Sequence, residues 1–150
     1  MMYVGLSKPA DRAAVEAAFA RHAPDARLQW GEPAWERLGE NDAADVFLTV
    51  RSNPSEFPFR LDIHDLSGRD AYELGLQLAR ELSMALQCST VCDGTLHGPS
   101  QAPGWCIVWI EGRAFLGDDY GSVFFDHSDD DSEDERSRLG PVKLIRPLDL

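Results

Sequence analysis

The sequence is short of positive charge. Its 150 residues hold 14 lysines and arginines against 26 aspartates and glutamates, a formal net charge of −12. A field of that sign repels nucleic-acid phosphates and anionic lipid headgroups, so neither is expected as a direct partner. No apolar run approaches the roughly 20 residues a bilayer-spanning helix needs. The opening MMYVGLSKPADR has no basic segment leading into an apolar one, so no signal peptide is expected. Cysteine is scarce as well. Cys88, Cys92 and Cys106 are an odd number that internal pairing does not exhaust, and reduced thiols in a cytoplasm are the expectation.

Motifs that carry chemistry are equally sparse. There is no G-x-S-x-G elbow, no H-E-x-x-H pair and no phosphate loop. Three residues separate Cys88 from Cys92, but His97 and Cys106 do not form a second tight ligand pair, and Cys106 lies in the most apolar segment. No metal and no cofactor are therefore expected. His64 is the one histidine set among carboxylates on a strand's wet face. Strand alternation places it on the same face as Asp62 and opposite Asp65. A small enzyme with a site around His64, Asp62 and a cysteine is the alternative to the binding role developed below. No catalytic residue is assigned.

What is present is enough apolar material, 43% of the residues, for one domain with its own core. MYVGL (2–6) reads as a first strand. A helix follows from Ser7, a candidate cap, to Pro24, with Val15, Ala18, Phe19 and His22 on one stripe. Trp30 and Trp35 fall in a Gly/Pro-punctuated connection without an assignment. DVFLTVR and FPFRLDIHD alternate around the turn SNPSE and predict an antiparallel hairpin with one dry and one wet face. DAYELGLQLARELSMALQ is the strongest helix, opened by Asp70 and Glu73, with Ala71, Leu74, Leu78, Leu82 and Ala85 inward. Gly75 at its middle predicts close packing on a sheet.

STVCDG, WCIVWI and RAFLG then read as strands, the last two joined by a Glu111-Gly112 turn, with Trp105 and Trp109 expected in the core. SVFF reads as a short strand, and PVKLIRPL closes the sheet. The order predicts a single α+β domain over 1–150, a mostly antiparallel sheet carrying two main helices.

The densest charge lies in FFDHSDDDSEDERSRLG, residues 124–140. A calcium loop is excluded there, because the position needing glycine falls on Asp134 or Asp131 in the two available registers. The expectation is a mobile acidic loop at about 126–138 that steers a basic partner. The candidate partner-binding residues are Asp126, Asp129, Asp130, Asp131, Glu133, Asp134 and Glu135. Asp118 and Asp119 of the turn GDDYG extend this surface. Tyr120, Trp30 and Trp35 are the candidate aromatic anchors.

LGLQLARELSMALQCSTVCDG followed by WCIVWIEGRAFLGDD is similar to small cytoplasmic immunity proteins of bacterial polymorphic-toxin and contact-dependent systems. The likeness covers roughly the C-terminal half and is one of helix, strand and hairpin rather than signature residues. It implies a non-enzymatic inhibitor that binds one cognate toxin, most simply a basic effector domain whose active-site cleft it blocks. An adaptor or chaperone for a secreted basic protein is a further alternative.

Overall fold

The computed structural model describes residues 2–32, 44–100 and 104–150. The alternating segments pair as expected. Strands β1 (Met2–Leu6), β2 (Leu28–Trp30), β3 (Val46–Ser52), β4 (Phe59–Asp65), β5 (Ser89–Asp93), β6 (Trp105–Ile110), β7 (Arg113–Asp118) and β8 (Lys143–Pro147) form one sheet in the order β2-β3-β4-β1-β5-β6-β7-β8. Every pairing is antiparallel except β2 with β3. With two main helices packed on one face, the chain is an α+β fold. No helix among the described residues is long and apolar enough to cross a membrane.

Helix α1 (Arg12–His22) starts later than the sequence implies. Asp11, not Ser7, is the cap, accepting from the Ala14 N–H at 2.9 Å. Ser7 instead prolongs the β1–β5 pairing, its N–H donating to the Ser89 carbonyl and its hydroxyl accepting from the Ser89 N–H, both at 2.9 Å. Helix α2 (Ala71–Ala85) is capped by Asp70, which accepts from the Glu73 N–H at 3.1 Å. Its Leu74, Leu78 and Leu82 are buried, whereas Ala85 is exposed. These side chains meet Val4, Leu6, Leu48, Leu61, Ile63, Cys92, Ile107 and Trp109 from the sheet. Trp105 is only partly buried.

Gly75 does not mediate close packing. A Cβ there would meet nothing within 4 Å, and the residue instead lines a cavity of about 290 Å³ with Met2, Tyr3, Ala71, Tyr72 and Asp93.

The opposite face is covered over its middle strands by the chain that follows β7. SVFF is not a strand. Ser122 caps a short helix, α3 (Val123–Asp126), accepting from the Phe125 N–H at 3.2 Å. This turn drives Phe124 onto the sheet, where it packs with Phe57, Val91, Cys106, Val108 and Val142. Burying such a ring contributes about 2–3 kcal/mol. Gly5 of β1 makes the seat, since a Cβ there would lie 2.8 Å from the Phe124 ring.

The hairpin β3–β4 is less cleanly two-sided than its alternation predicts. On the face expected to be wet, Phe47 and Asp62 are both buried. Asp62 is tolerated there because Arg60 Nε (2.8 Å) and Arg51 Nη1 (3.1 Å) neutralise it. Arg60 in turn lies over the Tyr3 and Phe124 rings, at 5.1 and 5.5 Å.

Candidate functional site

One end of the sheet collects the chain's unusual chemistry. β5 ends at Asp93, β6 begins after Gly104, and β7 ends at Asp118, because Asp93 pairs with Cys106 and Trp105 with Asp118 in the ladder. Asp119 and Tyr120 follow at once, and α3 ends nearby with Asp126. Four carboxylates thus come to one rim although the sequence spreads them over 34 positions, 93 to 126.

Three of the four are held by main-chain donors. Asp93 Oδ1 accepts from the Thr95 N–H (3.0 Å) and hydroxyl (2.5 Å). Asp118 Oδ1 accepts from the Tyr120 N–H at 3.0 Å. Asp126 Oδ2 accepts from the Gly121 N–H. Asp119 is the exception. It is the most buried, 3% exposed, yet among the described residues neither a hydrogen-bond donor nor a cation engages its carboxylate. Burial, reinforced by the charges of Asp126, Asp118 and Asp93, pushes it up to about 7. The Tyr3 phenol is also pushed up by its burial, with Cys106 and Asp119 adding to it.

Around this rim lie apolar groups open to solvent. Tyr120 is 77% exposed, and Phe125 is half-exposed against the Tyr3 ring at 6.0 Å. Leu96, 75% exposed, stands on the single helical turn Thr95–His97 that follows Asp93. That turn is pinned from α2: Tyr72 Oη lies 2.6 Å from His97 Nδ1 and accepts from the Leu96 N–H at 3.2 Å. Burial pushes Tyr72 up to about 12, so its phenol keeps its proton near neutrality.

The acidic stretch continues from this rim as turns and a short helix. Asp131 Oδ2 accepts from the Ser128 N–H at 2.8 Å, and Ser132 caps a last short helix, α4 (Glu133–Ser137), through the Glu135 N–H at 3.2 Å. Glu133, Asp134 and Glu135 occupy its first turn, where the helix dipole favours carboxylates. Arg136 folds back to the Asp129 carbonyl at 3.3 Å. A groove of about 600 Å³ separates this segment from the β3–β4 turn, lined by Asn53, Pro54, Val123, His127 and Leu139 among others.

The expected partner-binding set therefore divides. Asp118, Asp119, Tyr120 and Asp126 converge, and Asp129, Asp130, Asp131, Glu133, Asp134 and Glu135 continue from them. Trp30 does not join them. It lies in β2, six strand positions from β7 and so roughly 28 Å away at ordinary strand spacing. Its indole is committed to α1, donating to Glu16 Oε1 at 3.0 Å under the Arg12 guanidinium at 5.1 Å. Trp35 lies outside the described residues. The sequence reading overlooks Asp93, Leu96 and Phe125; the one local signal was the turn-forming Asp93-Gly94 pair.

The rival site around His64 loses its acid, since the Asp62 oxygens are taken by Arg51 and Arg60. Its cysteines are poor nucleophiles: burial pushes Cys92 up to about 12 and raises Cys106 as well. No protein-family model matches the chain, and no curated protein or solved structure matches it.

Proposed function

We propose that the protein is a cytoplasmic immunity protein, which binds a cognate antibacterial toxin and blocks a basic active-site cleft. The observation that carries this reading is the gathering of Asp93, Asp118, Asp119 and Asp126 around the exposed Tyr120, with the acidic turn and α4 continuing from it. A toxin that acts on a polyanion needs a positive cleft, and such a surface presents the charge its substrate presents. The exposed rings of Tyr120 and Phe125 supply the desolvated anchors that charge alone does not provide. The helix–strand–hairpin likeness to immunity proteins in residues 74–119 points the same way.

The test is co-expression with the product of the neighbouring upstream gene. A toxic product that this chain alone rescues, and that co-purifies with it in stable stoichiometry, is the expected result. Absence of a toxic neighbour together with no rescue overturns the reading. Retention of many unrelated basic proteins would point instead to an adaptor or chaperone.

A further inference from the structure

The acidic rim holds one group that its own fold leaves unanswered. The carboxylates of Asp93, Asp118 and Asp126 each accept from a main-chain N–H, while that of Asp119, the most buried of the four, has no hydrogen-bond or ion-pair partner among the described residues. Buried carboxylates are normally paired, because desolvation without compensation costs several kcal/mol. Asp119 shares its surroundings with Asp118: a side-chain carbon built on Gly104 would lie 3.4 Å from Oδ1 of each. Two carboxylate oxygens thus converge on one point, with an exposed phenol ring beside them.

Among the described residues, the titratable groups around Asp119 are Asp93 from β5, Cys106 from β6, Asp118 from β7, Asp126 from α3 and Tyr3 from β1, and none of these is cationic. A metal ion fits poorly, since no group of three or more His, Cys, Asp or Glu among the described residues is arranged to hold one. An ammonium is compact and strongly hydrated. A guanidinium is planar, weakly hydrated, donates to two oxygens at once and stacks on aromatic rings. We propose that the Asp118–Asp119 pair is the receptor for a single arginine side chain of the partner, its guanidinium bridging the two carboxylates and stacking on Tyr120. This inference rests on the immunity-protein reading for the identity of the partner, but the carboxylate pair is testable without one.

The probe is Nα-acetyl-arginine amide, titrated into the uniformly ¹⁵N-labelled protein. The expected result is saturable, low-millimolar binding that shifts the amides of Gly104, Asp119, Tyr120 and Gly121. Because the cation displaces the proton that Asp119 holds, affinity rises from pH 6 to pH 8 by up to about tenfold, and calorimetry in buffers of different ionisation enthalpy records proton release. D119N abolishes these responses. The lysine analogue binds more weakly and the uncharged citrulline analogue does not bind.

Absence of saturable shifts below about 50 mM, equal response in D119N, or shifts confined to residues 129–135 overturns the proposal. The calorimetric arm needs no variant, so it stands even if D119N folds poorly. Should a cognate toxin be found whose affinity D119N leaves intact, the arginine-receptor inference fails while the immunity reading survives. Arginine binding without any toxic partner does the reverse.

Discussion

The side-chain amide of Asn53 donates to the main-chain oxygen of Phe124 at 3.0 Å, joining residues 71 positions apart in the chain. Both are buried. The bond fastens α3 to the β3–β4 turn, and α3 in turn fixes where Asp126 and the acidic segment begin. Asn53 Oδ1 also accepts from the Ser55 N–H at 3.0 Å, so one side chain organises the turn and holds the helix.

Replacing Asn53 by alanine leaves a buried carbonyl without a donor. The expected cost is about 1–3 kcal/mol, read from the midpoint of urea unfolding. A change in tertiary order is expected at Phe124 and Phe125 before global unfolding, visible as amide exchange in residues 122–127. Wild-type stability in the variant removes the bond from the account of how the site is held.

Gly5 offers a second lock on the same helix. An added methyl would meet the Phe124 ring and Val91 Cγ1 at 2.8 Å, closer than any relaxed carbon contact. Gly5→Ala is expected to destabilise by about 1–3 kcal/mol through overpacking. A double variant with Phe124→Leu recovers part of that loss, because the clash is with the ring. Additive losses in the two variants would show that the strain lies elsewhere.

Much of this architecture is legible in the sequence. β1, the hairpins β3–β4 and β6–β7, and the capped helix α2 all follow from period and turn chemistry. Glu111 and Gly112 take the positive φ values, 49° and 84°, that a tight two-residue hairpin turn requires. The misreadings share one cause, which is packing between distant segments. Val123, Phe124 and Phe125 have strand-like propensity, yet Ser122 caps them into a helix that lays Phe124 on Gly5. Nothing local separates Asp118 from Asp119: one accepts an N–H on the rim, while the other's carboxylate is buried with no partner among the described residues. Trp30 reads as an exposed anchor only until Glu16 and Arg12 of α1 are seen to hold it.

Asp119 also sets a pH dependence. Its folded-state value is raised to about 7 from an ordinary carboxylate value near 4. Between those two values the folded state holds a proton that the unfolded chain releases. The stability contributed by that proton is complete below about pH 4 and is lost as pH rises through 7. D119N lacks this loss. The variant is therefore expected to gain about 1–3 kcal/mol on wild type at pH 8 and little at pH 4. Unfolding free energies at the two pH values check the sign, and parallel curves would mean that Asp119 is solvated as an ordinary surface acid.

The acidic turn and α4 act at longer range. Asp129, Asp130, Asp131, Glu133, Asp134 and Glu135 are charged and nearly all exposed, so their field falls off within about 10 Å at 0.1 M salt. Neutralising them to asparagine and glutamine keeps the local scaffold: the residue-131 side chain still offers an oxygen to the Ser128 N–H, and Ser132 still caps α4. The fold is expected to lose only a few tenths of a kcal/mol from the helix dipole. Association with a basic partner, in contrast, is expected to slow about tenfold at low salt, with a flatter dependence on ionic strength and a nearly unchanged dissociation rate. Stopped-flow or surface binding kinetics across a salt series separate the two rates. An effect on dissociation alone would place these carboxylates inside the contact, paired with partner charges, rather than at its approach.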